Sequence, residues 1–162
     1  MNIFALDKSP KISAQYHCDK HVVKMILESA QMLSTTVHLN FDEQKYPDFD
    51  LNSIYKPAFV NHPCRLWSEK SLDNWLWLKD LAFYLNEEYR FRYEKNINHK
   101  SFDAIQKLPI PKLPKVGLTP FAQAMPDQYK DPDSVQAYKN YYIGEKKKFC
   151  KYTKREIPSW LM

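Results

Sequence analysis

The sequence predicts an all-α fold: one compact α-helical domain over residues 1–162, with three main helices and a long proline-rich loop. Only 2 of the 162 residues are glycine, and this scarcity favours helices over a turn-rich β-sandwich. Two long segments carry apolar residues at helical spacing. The composition, with 27% charged and 44% hydrophobic residues, is typical of a folded globular domain of ordinary size.

The N-terminal part of the chain is predicted to form an apolar segment followed by the first helix. Residues 2–6 are apolar, and we expect an edge strand or an extended segment against the core. The first helix is expected over residues 11–37, because Ser9 or Ser13 can cap it and apolar residues recur at helical spacing. The residues that cover the back of this helix are Val22, Ile26, Ala30 and Leu33.

The second helix is predicted over residues 64–95. Pro63 suits the first turn of a helix and leaves Asn61 or His62 near its cap. Residues 96–133 then form the proline-rich loop, because their prolines forbid a continuous helix or a central strand. We expect this loop to be ordered and packed, since it contains apolar side chains.

The third helix is predicted from Asp133 or Ser134, either of which can cap it, to Phe149. Within the preceding loop, residues 118–126 are bracketed by prolines and are expected to form one helical turn. No internal repeat or linker divides the chain, so a single domain is expected.

The first predicted helix carries four ionisable side chains at the spacing i, i+4, i+7, i+11: His17, His21, Lys24 and Glu28. At about 100° per residue they fall within a strip about 60° wide. Apolar residues cover most of the rest of this helix, so it should be buried. Buried ionisable groups cost several kcal/mol unless they are paired. The strip therefore indicates either a buried polar network or the wall of a functional cleft.

The strip suits acid–base chemistry. A histidine, a lysine and a glutamate within two turns can exchange protons and change one another's pKa. Lys24 in a partly apolar cleft is a candidate nucleophile, through a Schiff base, towards a sugar C1′ or another carbonyl carbon. His17 and His21, at i and i+4, could instead hold a metal ion.

The charge distribution favours an anionic partner. The formal net charge is +5, and a basic stretch near the C terminus is interleaved with aromatic residues that can stack on bases. A helix that starts near residue 62 could also bind phosphate through its free N–H groups and an arginine. The candidate phosphate or nucleic-acid contacts are Asn61, His62, Arg65, Lys147, Lys148, Lys151, Lys154 and Arg155.

Several classes of protein are not expected. The few glycines form neither a phosphate-cradling loop nor a dinucleotide fingerprint, so no cofactor is predicted. Three widely spaced cysteines imply no disulfide framework. No signal-peptide core or membrane span is evident. We therefore expect a cytoplasmic protein, in the host cytosol if a phage encodes it, with no membrane partner.

The order of these elements resembles that of the pyrimidine-dimer DNA glycosylases, the endonuclease V type of T-even phages and their bacterial relatives. The resemblance spans most of the chain and lies in pattern and order. Its carriers are residues 2–6, Ala14-Gln15-Tyr16-His17, a helix from His62-Pro63 to Tyr93, and the aromatic and basic ending Tyr152–Trp160. The region around residues 16–25 and the ending also look like small proteins of tailed phages that have no assigned activity.

This resemblance implies an all-α DNA-repair fold with combined glycosylase and β-lyase chemistry, in which an amine attacks C1′ and a first-helix glutamate assists. Glu28 matches that glutamate. The phage members use the α-amine of a processed N terminus that carries a small hydroxyl residue. Here Asn2 follows Met1, and Lys24 is the substitute amine.

We therefore expect a phage-type enzyme that acts on DNA or a nucleotide, most simply a base-excising DNA N-glycosylase and abasic-site lyase. His17, His21, Lys24 and Glu28 would line its pocket. Two alternatives remain open. One is a non-catalytic phage protein that binds and sequesters a small nucleotide, for example a host defence signal. The other is a metal-dependent hydrolase built on the two histidines.

Overall fold

The computed structural model describes all residues, Met1–Met162, and contains six α-helices and no strand. One cluster of buried apolar residues joins the helices, which confirms the predicted all-α single domain. The helices are α1 (Pro10–Tyr16), α2 (Asp19–Leu39), α3 (Pro63–Glu69), α4 (Leu72–Arg92), α5 (Lys100–Gln106) and α6 (Ser134–Tyr141). No helix is long and apolar enough to cross a membrane.

The predicted single helix over residues 11–37 is wrong, because the chain breaks between α1 and α2. His17 and Cys18 are both extended, with ψ angles of 134° and 160°. The buried guanidinium of Arg92 donates to the carbonyl oxygens of Gln15 and His17 at 2.9 and 2.7 Å. The last carbonyl oxygens of a helix have no N–H donor within that helix. Arg92 supplies donors to two of them and so stabilises the break. His17 therefore does not share a helical strip with the other three ionisable residues.

The predicted helix over residues 64–95 is also divided, into α3 and α4. Ser71 is extended and its hydroxyl accepts from the N–H of Asn74 at 3.0 Å, which makes it the N-cap of α4. The predicted start is confirmed: α3 begins at Pro63, and Nδ1 of its N-cap His62 accepts from the N–H of Cys64 at 3.1 Å. The fold thus has six helices rather than three main ones.

The proline-rich loop packs against α4 on a side away from α2. Trp75 points towards α2, where its indole N–H donates to Leu33 O at 3.3 Å. Trp77 packs against Phe121 of the loop, with ring centroids 4.6 Å apart, and both tryptophans are buried. The loop is ordered and packed, as predicted, although it also contains α5. Residues 118–126 form no helical turn, so that prediction is wrong.

The third predicted helix is confirmed at its start but not along its full length. Asp133 caps α6 by accepting from the N–H of Val135 at 3.0 Å. The α-helix ends at Tyr141, and a π-helical turn (Tyr142–Lys146) and a 3-10 turn (Lys147–Phe149) follow. The N-terminal residues 2–6 are buried and form no strand, and the φ angle of Phe4 is +43°, so they are neither the edge strand nor the uniformly extended segment that the sequence predicts. They bring the N terminus to the middle of α2.

Candidate functional site

A small cavity lies where the N terminus crosses α2, and we call it the N-terminal cavity. Its volume is about 130 Å³. Three of the four residues of the predicted strip line it, together with residues from the N terminus and from the end of α6. The complete lining is Met1, Asn2, Phe4, His21, Lys24, Met25, Glu28, Tyr141 and Lys146.

The centre of the cavity is an ion pair between the N terminus and α2. The α-amine of Met1 lies 3.1 Å from Oε1 of Glu28. The Met1 side chain is only 1% exposed, whereas the residue as a whole is half-buried, so its accessible part is main chain. An amine and a carboxylate in contact form a nucleophile with an adjacent base, an arrangement that covalent catalysis uses.

Asn2 holds the amine in this position. Its Oδ1 accepts from the backbone N–H groups of Ile3 and Phe4 at 2.8 and 3.1 Å. Its Nδ2 donates to the carbonyl oxygen of Ala124, in the proline-rich loop, at 2.8 Å. Because Asn2 is itself buried, these bonds fix the path of the main chain that carries the amine.

Only one of the two carboxylate oxygens of Glu28 has a partner within the chain. Oε1 pairs with the Met1 amine, but Oε2 is buried and has no hydrogen-bond partner. A buried acceptor without a donor costs about 1–3 kcal/mol. A ligand that donates an O–H or N–H group to Oε2 would remove this penalty. Lys24, one turn earlier on α2, is exposed and lines the same cavity.

An aromatic wall closes one side of the cavity. Phe4 stacks on His21 with ring centroids 4.3 Å apart, and the Lys146 ammonium lies 4.7 Å from the ring centre of Tyr141. Nδ1 of His21 is 2.6 Å from the hydroxyl of Tyr142. Burial holds the pKa of Tyr142 well above its usual value, so this hydroxyl stays protonated. His21 is also part of the cavity lining.

The charges around the cavity favour an anion. The Met1 amine, Lys24 and Lys146 are cationic, whereas Glu28 is the one acidic residue in the lining. Attraction between a cationic cleft and an anion is stronger at a partly buried site than in open water. A phosphate-bearing ligand fits this balance.

His17, unlike the other three strip residues, is not part of the cavity lining. It is fully buried, and burial lowers its pKa to about 3. Its Nδ1–H donates to Ser13 O at 2.7 Å, and its Nε2 has no partner. The ring centroids of His17 and His21 are 6.4 Å apart, on either side of the break between α1 and α2. No group of three metal-ligating side chains is arranged around them.

The predicted phosphate contacts at the start of α3 have different surroundings. Arg65 is 2% exposed, and its guanidinium donates to Glu69 at 2.8 Å and to Val60 O at 2.7 Å. It therefore braces the preceding loop. Nδ1 of His62 accepts from the N–H of Cys64, and partial burial, together with the nearby Met1 amine, lowers the pKa of this imidazole. Asn61 is exposed.

The C-terminal cations divide into free and paired groups. Lys147, Lys148 and Lys151 are exposed and form no ion pair. Lys154 pairs with Glu94 at 2.7 Å and Arg155 with Glu88 at 2.9 Å. The paired cations attach the C-terminal segment to α4 and to the residues just after it, so the three free lysines are the ones available to an anionic partner.

Sequence reasoning identified the α2 residues of the cavity but missed the groups that come from elsewhere. These are the Met1 amine, Asn2, Phe4, Tyr141 and Lys146. One signal pointed towards them: an apolar N-terminal segment long enough to cross a helix that carries buried ionisable groups.

Larger surface depressions occur elsewhere, including one of about 440 Å³ beside Phe121. That depression holds no comparable pair of amine and carboxylate.

Comparisons of the chain with protein-family models, with curated proteins and with solved structures find no match.

Proposed function

We propose that the protein is a DNA N-glycosylase and abasic-site lyase whose nucleophile is the α-amine of Met1, assisted by Glu28. The contact of 3.1 Å between these two groups carries the proposal. It joins an amine that can form a Schiff base to a carboxylate that can move its protons. The family resemblance of the sequence suggests the same chemistry, with Met1 in place of Lys24 as the amine.

The reaction begins when Glu28 accepts a proton from the Met1 ammonium. The amine lone pair then attacks C1′ of the sugar. At an intact nucleotide the C1′–N bond breaks, and its electron pair leaves with the base, which takes up a proton. Glu28 then moves one proton from the attached nitrogen to O4′ as the C1′–O4′ bond breaks, and the opened sugar carries an iminium ion. At an abasic site the amine adds to the C1′ aldehyde, and loss of water gives the same iminium ion. Glu28 returns its proton to the departing oxygen.

The lyase step follows from the iminium ion. A proton leaves C2′, and the C3′–O bond breaks with its electron pair on the phosphate oxygen. The strand is thereby cut by β-elimination, and water later hydrolyses the imine to free the amine. Glu28 lies beside the iminium carbon and is the base for the C2′ proton. Lys24 and Lys146 are cations that bind the flanking phosphates.

The size of the cavity supports a sugar as the reacting group. A volume of about 130 Å³ corresponds to about four water molecules at about 30 Å³ each. This is enough for a pentose ring whose phosphates remain at the mouth. Pockets that enclose a whole small-molecule ligand are typically about 300–1,000 Å³, so a sugar with its phosphates outside fits this cavity better than a fully enclosed nucleotide does.

Borohydride trapping on abasic duplex DNA tests the proposal. Borohydride reduces the iminium ion to a stable secondary amine, so the wild-type protein should form a covalent adduct with DNA. Glu28→Gln should lower the rate of adduct formation by about 100-fold or more, because a positioned acid–base contributes this much. Glu43→Gln, which changes an exposed loop carboxylate, is the matched control and should react like wild type. Absence of a wild-type adduct would overturn the proposal.

A further inference from the structure

The loop between residues 56 and 62 presents two apolar side chains to solvent at its tip. Phe59 is 60% exposed and Val60 is 38% exposed. Such exposure is ordinary for single residues. Here, however, the tip is held by hydrogen bonds, its backbone is strained, and it is attached to α2 about 10 Å along the helix axis from Glu28 of the N-terminal cavity.

Three hydrogen bonds hold the backbone of the tip. The buried Arg65 donates to Val60 O at 2.7 Å, and Thr35 of α2 accepts from the N–H of Ala58 at 3.0 Å. The N–H of His62 donates to Phe59 O at 3.0 Å and closes the turn. A loop held by a buried arginine and by α2 presents its tip in one orientation.

Phe59 also has a strained backbone. Its φ angle is +52°, a conformation that non-glycine residues rarely adopt. Only four non-glycine residues in the chain have positive φ, and another of them is Phe4, in the wall of the cavity. Strained residues persist where the surrounding structure enforces them, and they cluster at functional sites.

The tip lies close to the reacting groups. His62, the last residue of the loop, lies near the Met1 amine, whose positive charge adds to the effect of burial in lowering the pKa of the imidazole. Thr35, which holds Ala58, is seven residues beyond Glu28 on α2, or about 10 Å along the helix axis. This length corresponds to about three base steps of a DNA strand.

The surface near the tip matches the charge of nucleic acid. Lys56 is exposed at the start of the loop, and Lys24 is exposed on α2 beside the cavity. Leu27, three residues after Lys24 on the same helix, is 42% exposed. Cations that neutralise phosphates around an apolar side chain are typical of proteins that unstack bases.

From these observations we infer that Phe59 is a wedge that inserts between base pairs of duplex DNA about three base steps from the sugar held in the N-terminal cavity. The inference rests on the proposed function, because that function places DNA at this surface. Insertion unstacks the neighbouring base step, and the cations at Lys24 and Lys56 hold the flanking phosphates. The duplex kinks at the opened step, and the kink lets the sugar reach the amine.

Fluorescence of 2-aminopurine tests the wedge without any chemistry at C1′. The probe DNA is a duplex with a tetrahydrofuran abasic analogue, which has no aldehyde, and 2-aminopurine three steps away. Wild-type protein should raise the fluorescence, because 2-aminopurine brightens when it unstacks. Phe59→Ala should abolish the rise and weaken duplex binding by about 10- to 100-fold, the effect of losing one stacked aromatic side chain. Phe59→Trp should restore both.

Phe83→Ala removes another exposed phenylalanine, on α4 outside this loop, and should behave like wild type. If Phe59→Ala keeps the wild-type fluorescence rise and affinity, or if wild type produces no rise, the wedge is wrong. The borohydride reaction is scored separately on aldehyde-bearing abasic DNA. A wild-type adduct with no effect of Phe59→Ala refutes only the wedge. A fluorescence rise that depends on Phe59, with no adduct, supports the wedge and refutes the lyase.

Discussion

Acidification from pH 7 to pH 5 should destabilise the protein through His17. The ring is fully buried, and its Nδ1–H donates to Ser13 O at 2.7 Å. A second proton would add a positive charge near Arg92 and His21 in a desolvated site. Burial, more than these charges, lowers the pKa of His17 to about 3.

The magnitude follows from proton linkage. An unfolded histidine has a pKa of about 6.5, so between pH 6.5 and pH 3 the unfolded chain binds more protons than the folded one. The free energy of unfolding must therefore fall as the pH falls through this window. For His17 alone the loss between pH 7 and pH 5 is about 2 kcal/mol.

Urea unfolding at pH 7, 6 and 5 measures this loss. His17→Gln keeps a neutral donor for Ser13 O but cannot take up a proton, so its stability should fall by about 2 kcal/mol less than that of wild type. His62 and His99, whose pKa values burial also lowers, titrate in both proteins and cancel. Equal pH dependence in the two proteins would refute the reasoning. A His17 ring NMR signal that titrates near pH 6 would refute it as well.

The remaining predictions concern the anchors of the site and of the C-terminal segment. Asn2→Ala should lower stability by about 1–3 kcal/mol, because it leaves buried N–H groups without an acceptor, and should slow borohydride trapping at least tenfold. Arg92→Met should lower the free energy of unfolding in urea by about 3–5 kcal/mol, because it removes one of the two cations that pair with the buried Glu88 carboxylate. Arg155→Met should cost less than Arg92→Met, because the Arg155 side chain is 36% exposed and Glu88 keeps its pair with Arg92. Lys146→Met should weaken binding to abasic-analogue DNA. It should also lower the number of counterions released on binding, read from the salt dependence of the affinity, by about one.

The sequence predicts part of the site because the relevant pattern is local. His21, Lys24 and Glu28 lie on one continuous helix, so their spacing correctly places them in one cavity. The prediction is wrong for His17, because the helix break that separates His17 from these three residues depends on Arg92, which is distant in the sequence. Periodicity within a window of one helix contains no information about such a contact.

The N-terminal half of the site could not be predicted for a similar reason. Asn2 departs from the small residue expected by resemblance, and that departure favoured Lys24 as the amine. In the structure the same residue anchors the Met1 amine through Ile3, Phe4 and Ala124. The proline-rich loop that supplies Ala124 has no periodic pattern, so its path over the N terminus is set by tertiary packing alone.

The identity of the trapped amine is the most direct test of the central claim. Wild-type protein reduced onto abasic DNA with borohydride is digested, and mass spectrometry locates the sugar adduct. The account predicts the adduct on the α-amine of Met1, and one residue added before Met1 should lower its yield at least tenfold by moving the amine away from Glu28. An adduct on Lys24, with Lys24→Met abolishing trapping and the added residue having no effect, would contradict the account.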